Sequence, residues 1–379
     1  MKYRAFYLLF AALVLFVVLF LPLRGTLVDD TYIHLVYARN LADLGELSFN
    51  TGEPTYGATS PLWVALLALV RLMGGDLIVW CGLLSLLFAL GSIALLYRVL
   101  LRISGDGTLA SAAALLLSAE AWVVRWSAVG METSFALFVV ILALLASLSA
   151  AGSRRGSALF GLLLFCAVLT RPEAILLVPL ALAAFILTRR LRKKGGLTWL
   201  FVFIPLYIVW LVIIERHTGT YLPLTAGAKQ GRPDFSAAML GRALVPIKIW
   251  GATLAVPWLM ILSAFVGGFL ARPPLSIFTG EKENRSTVLL LLFWALALPL
   301  VYIVLDFHIL SRYLVPVTPA VVILAYLGFD RFTRRVISRG RARRAALAAV
   351  TIIAILLNVV FYSTVVVKPT REFSRGLEE

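Results

Sequence analysis

Two carboxylates stand side by side at Asp29 and Asp30, just beyond an apolar run that ends at Leu23. At a membrane boundary such a pair repels itself and is costly to desolvate. One acid would suffice to cap the helix expected next, with Asp30 as the cap. Two adjacent acids ask for more, and we read the pair as functional. Ile33, Val36, Tyr37, Leu41 and Leu44 share a helical face, so the residues after the pair predict an amphipathic surface helix. The histidines are His34, His217 and His308. His34 is placed to line a site at the pair, and His308 falls near Asp306 and Arg312. No histidine cluster accompanies the pair, so no metal is assigned. A divalent cation (Mg, Mn or Ca) stays open as a hard ion held by oxygens and water. Cys81 and Cys166 lie in apolar runs and match no metal spacing.

The elements that carry these residues follow from composition. Of 379 residues, 61% are hydrophobic and 14% charged, which excludes disorder, coiled coil and an ordinary soluble enzyme. Long apolar runs such as Ala5–Leu23, Leu77–Leu96 and Leu289–Leu305 predict an all-α polytopic membrane protein. About eleven spans are expected: 5–23, 76–100, 108–126, 131–150, 156–170, 172–188, 197–215, 246–270, 286–305, 313–330 and 345–366. The first is read as an uncleaved helix, since no small-residue cleavage site follows it. The run 61–73 is short and reads as an interfacial or re-entrant helix.

The whole chain, 1–379, reads as one transmembrane domain. A first external segment, 24–75, carries juxtamembrane helices, and a second spans 216–245. With the N-terminus inside, the inner segments hold 21 of the 35 basic residues and four of the 19 acidic ones. That asymmetry is the retention of Lys and Arg on the cytoplasmic side. The net charge of +16 is thus a topology signal and needs no nucleic-acid partner. The C-terminus and the chemically varied loops fall outside. No glycine-rich phosphate loop supports a dinucleotide fold or an ATPase.

The first loop continues with Tyr37-Ala38-Arg39-Asn40-Leu41-Ala42, Phe49-Asn50-Thr51-Gly52-Glu53-Pro54 and Thr59-Ser60-Pro61-Leu62-Trp63. Gly52–Pro54 is turn chemistry, and Ser60-Pro61 is a helix start. This passage resembles the first external loop of the GT-C membrane glycosyltransferases, in the branch of the mycobacterial terminal arabinofuranosyltransferase. Later motifs are similar in order: Gly130-Met131-Glu132-Thr133, Thr170-Arg171-Pro172-Glu173, Leu222–Lys229 and Arg312-Tyr313-Leu314-Val315-Pro316. Leu224 departs from the Asn usual in that family. Little chain follows the last expected span, so that branch's external C-terminal domain is expected to have no counterpart.

The resemblance implies an inverting transfer from a polyprenyl-phosphate sugar, a glycosyltransferase of EC class 2.4. A sugar hydroxyl is a weak nucleophile and needs a general base. Carried over from the family pair, Asp29 is that base, and Asp30 positions the acceptor or helps hold a metal. Phosphate leaves readily, so cations that meet it replace the acid of a glycosidase. Lys229, Arg232 and Arg312 are candidates for the donor phosphate, against the plainer role of interfacial cations reaching headgroups. Glu132 and Glu173 open spans, where helix dipoles alone favour acids. Arg171 needs a partner, in Glu132, Glu173 or a phosphate, and His308 is a further substrate-binding candidate. Tyr32, Trp63, Trp122, Trp126 and Tyr221 read mostly as interfacial anchors, with sugar stacking open to Trp126 and Tyr221.

The expected partners are the lipid-linked donor, a glycan or lipid acceptor and membrane lipids, at the outer face of the cytoplasmic membrane. The arabinofuranosyl donor is the family precedent. Two other classes compete: a transporter or flippase of lipid-linked sugar, and a non-catalytic glycan-binding subunit. A transporter predicts midplane charges and paired broken helices, neither of which is legible in the sequence.

Overall fold

Backbone groups in a bilayer must find their partners within the chain, and the helix is the local way to do so. The computed structural model describes all residues except 1, 151, 194, 225–237, 272–283, 371 and 373–379. Among these residues the elements are helices and loops, with one isolated bridge between Ser48 and Pro54. The helices are α1 (Lys2–Phe20), α2 (Asp29–Leu44), α3 (Pro61–Leu72), α4 (Leu77–Ser104), α5 (Gly107–Ala119), α6 (Ala121–Ala128), α7 (Thr133–Ala150) and α8 (Arg154–Thr170). After a 3₁₀ turn, Pro172–Leu176, come α9 (Leu177–Leu187), α10 (Thr198–Thr218), α11 (Ala238–Thr253), α12 (Ala255–Ala271) and α13 (Arg285–Val304). The short α14 (Ser311–Leu314) then leads into α15 (Thr318–Val336), and α16 (Gly340–Phe361) closes the series.

Seven of the described helical runs are long and apolar enough to cross a bilayer, or nine if each of two bent pairs is one span. The expected spans 108–126 and 246–270 are those pairs: α5 and α6 bend by 56°, and α11 and α12 by 103°. The expected spans 156–170 and 172–188 correspond to α8 and the shorter apolar run Pro172–Leu187. The count of eleven is therefore not reached on length and composition. Hydropathy sums a run of residues and is blind to a break inside it. Both breaks lean on Asn358 of α16. Its side-chain oxygen accepts from the Ala121 N–H at 3.1 Å, and its amide donates to the Thr253 carbonyl at 2.7 Å.

Between lipid-embedded helices close approach, not water exclusion, supplies the contact energy, and small residues allow it. α5 packs on α1, where the small Ser111 donates its hydroxyl to the Ala5 carbonyl at 3.0 Å. α8 meets α10 at Gly161, where a methyl group would collide with the Trp199 carbonyl oxygen. α7, α13 and α15 form the buried centre, whereas α1, α4, α10 and α16 carry exposed Leu, Ile, Val and Phe outward. Those faces suit lipid.

α2 and α3 sit on this bundle at one end. α2 packs on α3, and its buried residues are Thr31, His34, Leu35, Tyr37, Ala38 and Asn40. Of the expected apolar face Tyr37 is buried and Val36 and Leu41 are half-buried, while Ile33 and Leu44 are exposed. The rotation follows from its anchors, since the Thr31 hydroxyl donates to the Val129 carbonyl at 2.7 Å. Asn40 holds the loop that follows, donating to the Ser48 and Phe49 carbonyls at 3.0 Å each. The turn expected at Gly52–Pro54 is present, with Gly52 at φ 82°. Trp63 is wholly buried against Phe88 and Phe135 and is a core residue, not an interfacial anchor.

Candidate active site

Val28, with extended backbone, occupies the N-cap position of α2, so Asp29 and Asp30 are its first two residues and not its caps. Both carboxylates lie in the favourable field of the helix N-terminus. Asp29 is exposed and accepts only the neighbouring Asp30 N–H, at 2.9 Å, among the described residues. Asp30 faces Arg312 at 2.5 Å. Ser60 likewise sits at the N-cap of α3 with Pro61 next, as expected, but its hydroxyl makes no capping bond.

A second ionic group stands beside the first. Arg171 reaches Glu173 through Nε at 2.6 Å and Glu132 through Nη1 at 3.3 Å. Burial alone would lower the Arg171 pKa, but the Glu173 and Glu132 carboxylates outweigh it and hold the guanidinium charged. Its Nη1 also donates to the Arg312 carbonyl at 3.5 Å, which joins the two groups. Glu132 is brought there by the Gly130 turn. Gly130 has φ 73°, and a methyl group on it would stand 2.8 Å from Cys81 Sγ. Across from Glu132 lies the His34 Nδ1, at 3.9 Å. Burial pushes the His34 pKa below its ordinary value, against the pull of Glu132 and Asp30.

Three cavities meet at these residues. The first, about 380 Å³, is lined by Val28, Asp29, Asp30, Arg125, Trp126, His308, Leu310, Arg312 and Tyr313. A narrow one of about 70 Å³ follows, between Asp30, His34, Gly57, Glu132, Arg171 and Arg312. The third, about 390 Å³, is mostly apolar and is walled by Val168, Leu169, Ile175, Leu176, Trp210, Leu211 and Leu222 with Tyr302 and Tyr313. Leu224, the departure from the family motif, donates its N–H to the Tyr56 carbonyl at 2.9 Å and ties the second loop to the first.

The structure thus gathers Asp29, Asp30, Glu132, Arg171, Glu173, His308 and Arg312 at one end of the bundle. Lys229 and Arg232 lie outside the described residues. His217 accepts from the Leu47 N–H at 3.1 Å and braces the first loop. Among the described residues no three His, Cys, Asp or Glu side chains converge as a metal-ligand set. Asp30 is already engaged by Arg312. Arg125 is the residue the sequence reading missed. It sits in an apolar run read as a straight span, and the bend after Ala119 turns it into the cavity. The signal was the spacing Trp122, Arg125, Trp126, which puts a cation between two indoles on one helical face.

The chain shares its fold with solved structures of ArnT and AglB. ArnT from Cupriavidus metallidurans bound to undecaprenyl phosphate aligns with a TM-score of 0.62 and 16% identity, over 100% of this chain and 75% of that one. The same protein in the apo state gives 0.59 at 16% identity, with the same coverage. The archaeal oligosaccharyltransferase AglB from Archaeoglobus fulgidus, in complex with an inhibitory peptide and a dolichol-phosphate, gives 0.57 at 13%, over 98% of this chain and 56% of that one. This is a GT-C fold. No protein-family model matches the chain, and no curated protein matches its sequence.

Proposed function

We propose that this protein is an inverting membrane glycosyltransferase that moves a sugar from a polyprenyl phosphate to a hydroxyl of a glycan or lipid acceptor. The observation that carries the reading is the pairing of unlike carboxylates on one cavity: Asp29 without a cation partner among the described residues, and Asp30 held by Arg312. An unpaired carboxylate is a competent proton acceptor, and a paired one is a fixed positioning group. Asp29 takes the acceptor hydroxyl proton as the oxygen bonds to the anomeric carbon. The bond from that carbon to the phosphate oxygen breaks, and its electron pair leaves on the phosphate. Attack from the side opposite the leaving phosphate inverts the centre.

The apolar cavity next door suits a polyprenyl tail. Two neighbours of this fold were solved with lipid phosphates, undecaprenyl phosphate in ArnT and dolichol-phosphate in AglB. The acidic residues gather at the bundle end away from the basic end, where Arg334 meets Asp106 at 4.0 Å. Retention of basic residues inside supports a site on the outer face of the cytoplasmic membrane. An arabinofuranosyl donor is our first choice, on the resemblance of the first loop.

A transporter of lipid-linked sugar has one observation in its favour, the two broken helices. Both breaks are closed by Asn358, and the cavity with the acids lies beyond them. The test is release of polyprenyl phosphate by protein in nanodiscs, given a panel of polyprenyl-phosphate sugars and a cell-envelope glycan extract. Release with one donor is expected, reduced about 10²- to 10⁴-fold in Asp29→Asn. Binding of a donor without release from any of them would overturn the reading in favour of transport or binding.

A further inference from the structure

The charges that line the polar cavity do not cancel residue by residue. Arg312 is spent on Asp30 at 2.5 Å, and Arg171 beside it is spent on Glu173 and Glu132. Arg125 lines the same cavity, is half-buried, and meets no carboxylate among the described residues. Its Nε is buried with no hydrogen-bond partner among the described residues. What holds it is aromatic. Its guanidinium carbon lies 4.8 Å from the centroid of Trp126 and 5.6 Å from that of Trp122. A cation–π contact fixes a guanidinium without neutralising it, and leaves the N–H groups in the guanidinium plane able to donate.

Both indoles are themselves pinned. Trp126 Nε1 donates to the Ser311 hydroxyl at 2.9 Å, and Trp122 Nε1 donates to the Ile249 carbonyl at 3.2 Å. α6, which carries all three residues, is capped by Glu120, whose carboxylate accepts the Val123 N–H at 2.7 Å. The 56° bend between α5 and α6 aims this helix at the cavity. A half-buried cation kept in place by neutral groups is a site awaiting an anion. The same cavity is lined by Asp29, the carboxylate that is likewise without a counter-ion among the described residues.

We propose that Arg125 binds the phosphate of the lipid-linked donor, with Trp122 and Trp126 as the clamp that positions it. The proposal rests on the glycosyltransferase reading and names the group that meets the leaving phosphate. Arg125 makes planar N–H contacts to two phosphate oxygens and takes up the charge that grows as the sugar bond breaks. The shared chemistry is a lipid phosphate, and a bilayer phospholipid is the other source of one.

The test is binding of undecaprenyl phosphate to protein in nanodiscs of zwitterionic lipid, beside the neutral undecaprenol and beside nanodiscs containing phosphatidylglycerol. Arg125→Gln should weaken undecaprenyl phosphate binding about 10- to 100-fold, leave undecaprenol unchanged, and raise KM for the donor while lowering kcat. Arg125→Lys should restore part of the loss, since charge returns without the bidentate geometry. Arg71→Gln, at an exposed pair outside the cavity, should bind as the native chain does. Melting temperatures of all variants establish that they fold. If Arg125→Gln binds undecaprenyl phosphate as tightly as the native chain, the proposal fails while turnover can still stand. If phosphatidylglycerol competes equally in the native chain, the site reads bilayer phosphate and the donor assignment fails. If binding is lost in the variant but the native chain never turns over a donor, the phosphate site stands and the transferase reading fails.

Discussion

Removing Arg171 alone should destabilise the protein far more than removing the whole ionic group around it. The Arg171 side chain is 8% exposed, and its partners Glu132 and Glu173 are 5% and 18% exposed. Arg171→Met leaves two carboxylates facing each other with little water to solvate them. Stripping one partner from a buried pair costs about 3–5 kcal/mol, whereas replacing the whole set by neutral groups of similar shape is often close to neutral. For a chain this long the single change corresponds to a fall in melting temperature of about 4–6 °C. The triple variant Glu132→Gln, Arg171→Met, Glu173→Gln should recover most of it. The nine tryptophans make intrinsic fluorescence during heating in detergent a direct readout. If Arg171→Met melts with the native protein, or no lower than the triple variant, the group is solvated and the argument from burial is wrong.

Acidification gives a second test. His34 is held below its ordinary pKa by burial, so the unfolded chain takes up a proton before the folded one does. Stability should therefore fall as pH drops below about 6.5, by up to about 1.4 kcal/mol per pH unit, until the folded imidazole titrates. His34→Gln should flatten that part of the melting-temperature profile. Gly130→Ala should cost about 1–3 kcal/mol for the left-handed backbone alone. Adding Cys81→Ala should recover only the share due to the 2.8 Å contact with Cys81 Sγ. Asn40→Ala strands the Ser48 and Phe49 carbonyls and should cost about 1–3 kcal/mol, with faster proteolysis between α2 and α3 as the local readout.

Much of this protein is set by its sequence alone. A chain with so many apolar residues in long runs has nowhere to put them but a bilayer, and a bilayer admits helices because they satisfy their own backbone. The acidic pair, the turn at Gly52 and the helix start at Ser60-Pro61 are likewise local, each readable from a few neighbouring residues. What needed the tertiary structure is everything that depends on which groups meet across the bundle. Composition marked Arg171, Glu132 and Glu173 as charges at span ends, and only packing makes them one buried group. The face of α2 was legible only in part, because its anchors, the Val129 carbonyl among them, lie far away in sequence. The span count missed two bends because a break inside an apolar run leaves hydropathy almost unchanged. Arg125 follows from the same cause: a straight span leaves it at a boundary, and beyond a 56° bend it lines the cavity that Asp29 also lines. A charge acquires its role from the partner it finds or lacks, and that is a property of the folded chain.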